Sequence, residues 1–201
     1  MILIGITGII GSGKTTVSRL LKGKGFNIVD LDRLAKEALD TEEVKEEIKK
    51  AFGEGIFIDG RISPERLKDI VFVDRERLKQ LEDIVHPRVI QGIYRQAEAL
   101  KSKGERSLIV DGPLIFEKGL NKNLDRIIVV SADQGLIRER LKIRGMDEED
   151  IDRRTSCQIP LKEKEKQADY VLYNNGTEKD LEAQIDILIK RIRKWEEEDA
   201  S

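Results

Sequence analysis

Short apolar runs alternate along the chain with longer stretches of mixed charge. The first run, Ile2-Leu3-Ile4-Gly5-Ile6, is the pattern of a strand buried on both faces of a parallel sheet. Helix-compatible residues follow over 13–24 and stop at Gly25, and residues 27–30 read as a second short strand. Residues 107–111 and 126–131 are two further buried strands, and 169–173 is a fifth. Between them, from Leu31 to about residue 100, the pattern is helical throughout, broken at Gly53, Gly55 and Gly60 and restarted at Ser63-Pro64-Glu65. This middle stretch is expected to be an all-helical insertion. His86 precedes Pro87, which predicts a helix start there, with the imidazole as a cap or as a substrate contact. Strands alternating with helices predict an α/β fold, an open five-stranded parallel sheet with helices on both faces and ligands at the carboxyl ends of its strands. No linker-like stretch or repeat divides the chain, so one folding unit is expected.

Composition narrows the partners. At 201 residues the chain can bury roughly 70% of its unfolded surface in one sizeable domain. No apolar run approaches the roughly 20 residues that span a bilayer, so no membrane partner is expected. Thirty-seven Lys plus Arg against 39 Asp plus Glu leave a net charge of −2, so no positive excess points to nucleic acid. The N-terminal residues lack a basic lead and run straight into a glycine loop, which reads as a cytoplasmic chain without a signal. One cysteine, Cys157, and one histidine can build neither an internal disulfide nor the usual four-ligand zinc site. Charged residues of mixed sign make up 38%, against about 25% in ordinary domains, a balance that favours ion-pair networks.

The turn between the first strand and first helix carries the clearest chemistry. Gly8-Ile9-Ile10-Gly11-Ser12-Gly13-Lys14-Thr15 matches G-x-x-x-x-G-K-[ST] in full, in the strand-loop-helix setting that this phosphate-binding loop (P-loop) requires. Glycines let the backbone turn its N–H groups onto a polyanion, and the helix N-terminus adds to the anion site. Lys14 would reach the β and γ phosphates of a bound nucleotide, the Thr15 hydroxyl would ligate magnesium (Mg²⁺), and Thr16 would donate to phosphate. A glycine turn that only joins strand to helix is the other reading, and the full match in its proper setting disfavours it. The loop does not disclose the reaction, because kinases, GTPase switches and motor ATPases share it.

Other residues must identify the acceptor. Asp30 and Asp32 stand at the carboxyl end of the second strand, where they either meet an acceptor or serve as cap and first-turn acid of the next helix. Asp111 ends the third strand, placed to hold an Mg²⁺-bound water or the acceptor, or to initiate the turn at Gly112-Pro113. Arg138, Arg140 and Arg144 follow the fourth strand; Arg140 and Arg144, four apart, share a helical face that either clamps phosphate or is solvated. Arg153 and Arg154 lie beyond Gly145 in a segment that could close as a lid. Asn174-Asn175-Gly176 follows the fifth strand as an adenine rest or an ordinary turn. Trp195 and the tyrosines read as packing residues.

In order along the chain, these segments resemble the dephospho-CoA kinase family. Residues 7–16 resemble its loop, and Asp30-Leu31-Asp32 its D-A-D segment, whose second acid is the family's proposed base. Val85-His86-Pro87 is similar to its H-P step, Pro113-Leu114-Ile115-Phe116-Glu117 to its P-L-L-F-E segment, and Arg140 with Arg144 to its paired arginines; Gln158, Lys164, Ala168-Asp169 and Asn174-Asn175-Gly176 continue the match. Two positions depart from the pattern: Ile9 stands where a second glycine is usual, and Leu31 replaces an alanine. The resemblance implies phosphorylation of the ribose 3′-hydroxyl of dephospho-CoA by ATP. Its expected layout is a P-loop NTPase-type core (1–30, 105–145, 168–201), a helical acceptor-binding insertion over about 31–104 and a helical lid over about 145–167. Asp32, Lys14 and Arg140 are then the expected catalytic residues. Gly8, Gly11, Ser12, Gly13, Lys14, Thr15, Thr16, Arg144, Asn175 and Gly176 are expected at ATP. Asp32, His86 and Asp111 are expected at the acceptor, and Thr15 at Mg²⁺, with Asp111 acting on it through water. A kinase for a nucleoside monophosphate or another small alcohol is the alternative within the class. A GTP-dependent switch is the alternative outside it, although no N-K-x-D guanine-reading segment is present.

Overall fold

The computed structural model of the chain describes residues 1–199. In chain order its elements are β1 (Ile2–Gly8), α1 (Lys14–Gly23), β2 (Ile28–Asp30), α2 (Leu31–Leu39), α3 (Glu42–Phe52), β3 (Phe57–Ile58), β4 (Arg61–Ile62), α4 (Pro64–Val71) and α5 (Arg75–Lys101). There follow β5 (Ser107–Asp111), β6 (Arg126–Ser131), α6 (Gln134–Ile143), α7 (Glu148–Ser156), α8 (Leu161–Lys166), β7 (Tyr170–Tyr173) and α9 (Glu178–Glu198). The described residues divide into two compact units, one built from Met1–Val29 together with the residues from Ala97 onward, the other from Asp30–Gln96.

The first unit holds the α/β sheet. Its strand order is β2-β5-β1-β6-β7, with β1 parallel to both β5 and β6, and β6 parallel to β7. All seven residues of β1 are buried, as its apolar run requires. Ile2, Ile4 and Ile6 face Val17 and Leu21 of α1 and Leu181, Ile185, Leu188 and Ile192 of α9 in one cluster. Gly5 points to the opposite face, where a Cβ would lie 2.7 Å from the Ile127 side chain and 2.8 Å from Leu124. A capping box starts α9: Thr177 Oγ1 accepts from Asp180 N, and the Asp180 carboxylate accepts from Thr177 N. The pairing places Asp111 beside Ile6, Val130 beside Gly8 and Tyr173 beside Ser131, so the ends of four strands meet the loop after β1 along one edge.

The second unit is built on Val44 and Ile48 of α3, Ile56, and Leu67 and Val71 of α4. The expected all-helical insertion is corrected here by the β3–β4 hairpin, whose Phe57 pairs with Ile62 and Ile58 with Arg61. Asp59 (φ 49°) and Gly60 (φ 75°) are both left-handed, as a two-residue type I′ turn demands. The helix start expected at His86-Pro87 is corrected too, because Pro87 lies inside the 27-residue α5. Proline removes one backbone donor and costs about 3 kcal/mol in a helix interior. The buried stripe Val85, Val89 and Ile93, at spacing four, opposes that cost, and Pro87 itself is exposed. Arg88 on the same helix pairs with Glu43 and Glu47 of α3 at 2.9 and 2.5 Å. No helix among the described residues is long and apolar enough to cross a membrane.

Candidate active site

The loop of residues 8–15 passes from the buried end of β1 into α1 without a side-chain cap. Gly13 is the N-cap residue, with φ 95° and ψ 15°, and no acid occupies the first turn. The positive end of α1 is therefore left for an external anion. Two glycines make the cradle by lacking a side chain. A Cβ at Gly13 would fall 2.0 Å from Asn174 Nδ2, and one at Gly8 would fall 2.6 Å from both Ser12 Oγ and the Val130 carbonyl oxygen.

Lys14 and Asp111 meet directly, the ammonium donating to the carboxylate that ends β5. Their side chains are 18% and 12% exposed, enough to be reached by a ligand yet poorly screened by water. Thr15 is exposed on the first turn of α1 and Thr16 half-buried beside it. Gly11 and Ser12 are buried, and Ser12 Oγ has no hydrogen-bond partner. Arg140 of α6 donates from Nη2 to the Asn174 carbonyl oxygen at 2.9 Å, while its Nη1 is buried and unpartnered, 4.0 Å from where a Gly13 Cβ would stand. An orphaned guanidinium nitrogen and an orphaned hydroxyl beside the loop's glycines fit a polyphosphate. Thr15 and Asp111 are hard oxygen donors of the kind Mg²⁺ takes alongside water and phosphate. Among the described residues, no cluster of three or more His, Cys, Asp or Glu could hold a metal alone.

Other expected residues have plainer surroundings. Arg144 is exposed at the C-cap of α6, and Arg138 pairs outward with Glu148 and Asp152 of α7. Asn175 exchanges hydrogen bonds with Asp133, at 2.8 Å to its N–H and 3.0 Å to its carboxylate, and a Cβ on Gly176 would meet Asp180 at 2.6 Å. Both therefore shape the turn into α9. The asparagine that touches the phosphate loop is Asn174, which the sequence pattern groups with Asn175 and Gly176 without singling it out; it is 7% exposed and donates to the Ser12 carbonyl oxygen at 2.9 Å. Asp32 and His86 belong to the second unit. Asp30 caps α2 by accepting from Asp32 N at 2.8 Å and Arg33 N at 3.2 Å, which leaves the exposed Asp32 on the first turn. His86 is half-buried midway along α5.

The α7–α8 segment is tied to the loop as well. Gln158 Oε1 accepts from Ile10 N at 3.0 Å, and Ile9 and Ile10 pack on a cluster that includes Leu141, Met146, Ile151 and Leu161. The β-branched Ile9 that departs from the family pattern therefore has an apolar seat. Lys164 of α8 is fully buried, donating to the Pro113 carbonyl oxygen at 2.9 Å and to Glu117 at 2.8 Å. Burial pushes its pKa below the ordinary lysine value, against the opposing pull of Glu117.

A profile of the family described as CoaE, dephospho-CoA kinase, matches residues 2–180. The dephospho-CoA kinase of Aquifex aeolicus is 42% identical over 178 residues, covering 87% of this chain and 89% of the relative. Among solved structures, TT1252 from Thermus thermophilus superposes with a TM-score of 0.82 at 38% identity, covering 94% of this chain and 97% of its own. The dephospho-CoA kinase from Campylobacter jejuni superposes at 0.72 with 27% identity, covering 96% and 97%. The likeness runs from the phosphate loop through the inserted helices to the last strand, and the chain belongs to the dephospho-CoA kinase family.

Proposed function

We propose that the chain transfers the γ-phosphoryl group of ATP to the ribose 3′-hydroxyl of dephospho-CoA, giving CoA and ADP. The observation that carries the reading is the open, uncapped start of α1, with Lys14 facing Asp111 and the unpartnered Arg140 Nη1 beside Gly13, in a chain of this family. Phosphoryl transfer passes through a loose transition state, so the protein's task is alignment and charge stabilisation.

The loop amides and Lys14 receive the β and γ phosphates, and Arg140 holds the transferred group, joined by Arg144 on the nucleotide side. Thr15 would hold Mg²⁺, with Asp111 reaching it through water. When bound, the ion would offset the charge that grows between the phosphates. Asp32 orients the attacking hydroxyl and accepts its proton late, and His86 and the 31–104 insertion bind the acceptor. The 145–167 segment acts as the lid that excludes water from the γ phosphate.

The test is incubation with MgATP and dephospho-CoA, with the product identified by mass. CoA and ADP in equal amounts are expected. Phosphate transfer to a nucleoside monophosphate, with dephospho-CoA untouched, overturns the acceptor assignment.

A further inference from the structure

The α8 helix reads Leu161-Lys162-Glu163-Lys164-Glu165-Lys166, and its three lysines have different fates. Lys162 and Lys166 are 81% and 69% exposed and pair with neighbouring glutamates, while Lys164 is 0% exposed. Its ammonium stands where two chains of contacts begin. The Pro113 carbonyl oxygen that it meets also accepts from Thr7 Oγ1 at 3.2 Å, one residue before the loop's Gly8. Pro113 lies two residues beyond Asp111, the partner of Lys14, and the intervening Gly112 N donates to Ile6 O at 3.1 Å. On the other side, Glu117 Oε1 accepts from both Lys164 and Ile159 N, the latter at 2.9 Å, while Gln158 next to it accepts from the loop's Ile10 N. Glu117 Oε2 is buried without a partner.

An ammonium buried this deeply is costly, and a packed apolar side chain of similar volume would fill the space with less desolvation. What an apolar residue could not do is hold, from α8, both a carbonyl and a carboxylate of the segment that follows β5. Resting on the kinase reading above, we propose that Lys164 is a positioning residue that, through Pro113 and Glu117, sets both the Asp111 strand end and the phosphate loop in their ATP-binding arrangement.

The experiment compares Lys164→Met with wild type, measuring ATP affinity by calorimetry without acceptor, Michaelis constants for both substrates, and the melting temperature. The expected result is ATP affinity weaker by about tenfold, with a parallel rise in KM for ATP and a KM for dephospho-CoA within about twofold of wild type. The double variant Lys164→Met/Glu117→Leu removes both buried charges, and is expected to regain stability without regaining ATP affinity. It carries the test if the single variant does not fold. Wild-type ATP affinity in whichever variant folds, with only the melting temperature lowered, overturns the proposal, because a merely structural lysine would behave so. Wild-type protein that binds no ATP overturns the kinase reading itself, whereas normal wild-type binding and turnover with unchanged variants overturns this proposal alone.

Discussion

Lys14 of the phosphate loop donates to Asp111 at the end of β5, so the loop's cation already has an anionic partner before any phosphate arrives. Bound triphosphate must share that ammonium with the carboxylate. Asp111→Asn is expected to tighten ATP binding in the absence of Mg²⁺ by about threefold to tenfold, by removing a competing charge. With Mg²⁺ present it should lower kcat by about 10- to 100-fold if Asp111 reaches the metal through water as proposed. Calorimetry in chelator and steady-state kinetics read the two effects separately; a variant weaker in both would refute the competition.

Gly13→Ala tests the cradle. Its φ of 95° disfavours any side chain, at about 1–3 kcal/mol, and the new Cβ would also collide with Asn174 Nδ2. The variant should melt several degrees lower and lose ATP binding. Adding Asn174→Ala removes the collision and leaves the backbone strain, so partial recovery of the melting temperature is expected. Full recovery would mean that the dihedral angle carries no cost.

Arg140→Lys keeps the charge and loses the fork. One ammonium cannot reproduce both the Nη2 contact to Asn174 O and the separate Nη1 that faces the loop. A fall in kcat of about 10²–10³ is expected, with KM for dephospho-CoA unchanged. An equal fall after Arg144→Lys would shift the clamp toward the exposed arginine.

Asp32→Ala is expected to lower kcat by about 10²–10⁴ while ATP still binds normally. An undiminished kcat removes Asp32 from the mechanism.

The three central strands β1, β5 and β6 were legible because strands buried on both faces must be apolar at nearly every position, while the edge strands β2 and β7 showed only as short apolar runs. The loop was legible because its spacing is dictated by a phosphate chain. The β3–β4 hairpin escaped because two-residue strands have no periodicity to detect, although Asp59-Gly60 was a usable turn signal. Pro87 misled because local backbone chemistry argued for a break that the buried stripe of α5 overrides. Asn174 and Lys164 were legible as members of a pattern, but their contacts were not. A turn signal shared by adjacent asparagines cannot say which one faces the loop, and a lysine in an alternating Lys-Glu run looks solvated until tertiary contacts turn it inward.

The capping box at α9 predicts a pH effect. Hydrogen bonds from the Thr177 hydroxyl, and then from its backbone N–H, hold the Asp180 carboxyl below the usual aspartate value. A depressed folded pKa means stability that is fully present above the unfolded value of about 3.9 and lost as pH falls through the lower folded value. Wild type should therefore be more stable than Asp180→Asn at neutral pH, with the gap closing in acid below about pH 4. A gap independent of pH would assign the box to geometry alone.

Cys157 is exposed, is the chain's single thiol, and adjoins the glutamine that grips the Ile10 amide. A maleimide dye attached there would sit one residue from that grip with no engineering of the background. Nucleotide titrations could then be followed by fluorescence on otherwise native protein, giving an optical gauge of whether the connection between α7 and α8 shifts as the triphosphate binds.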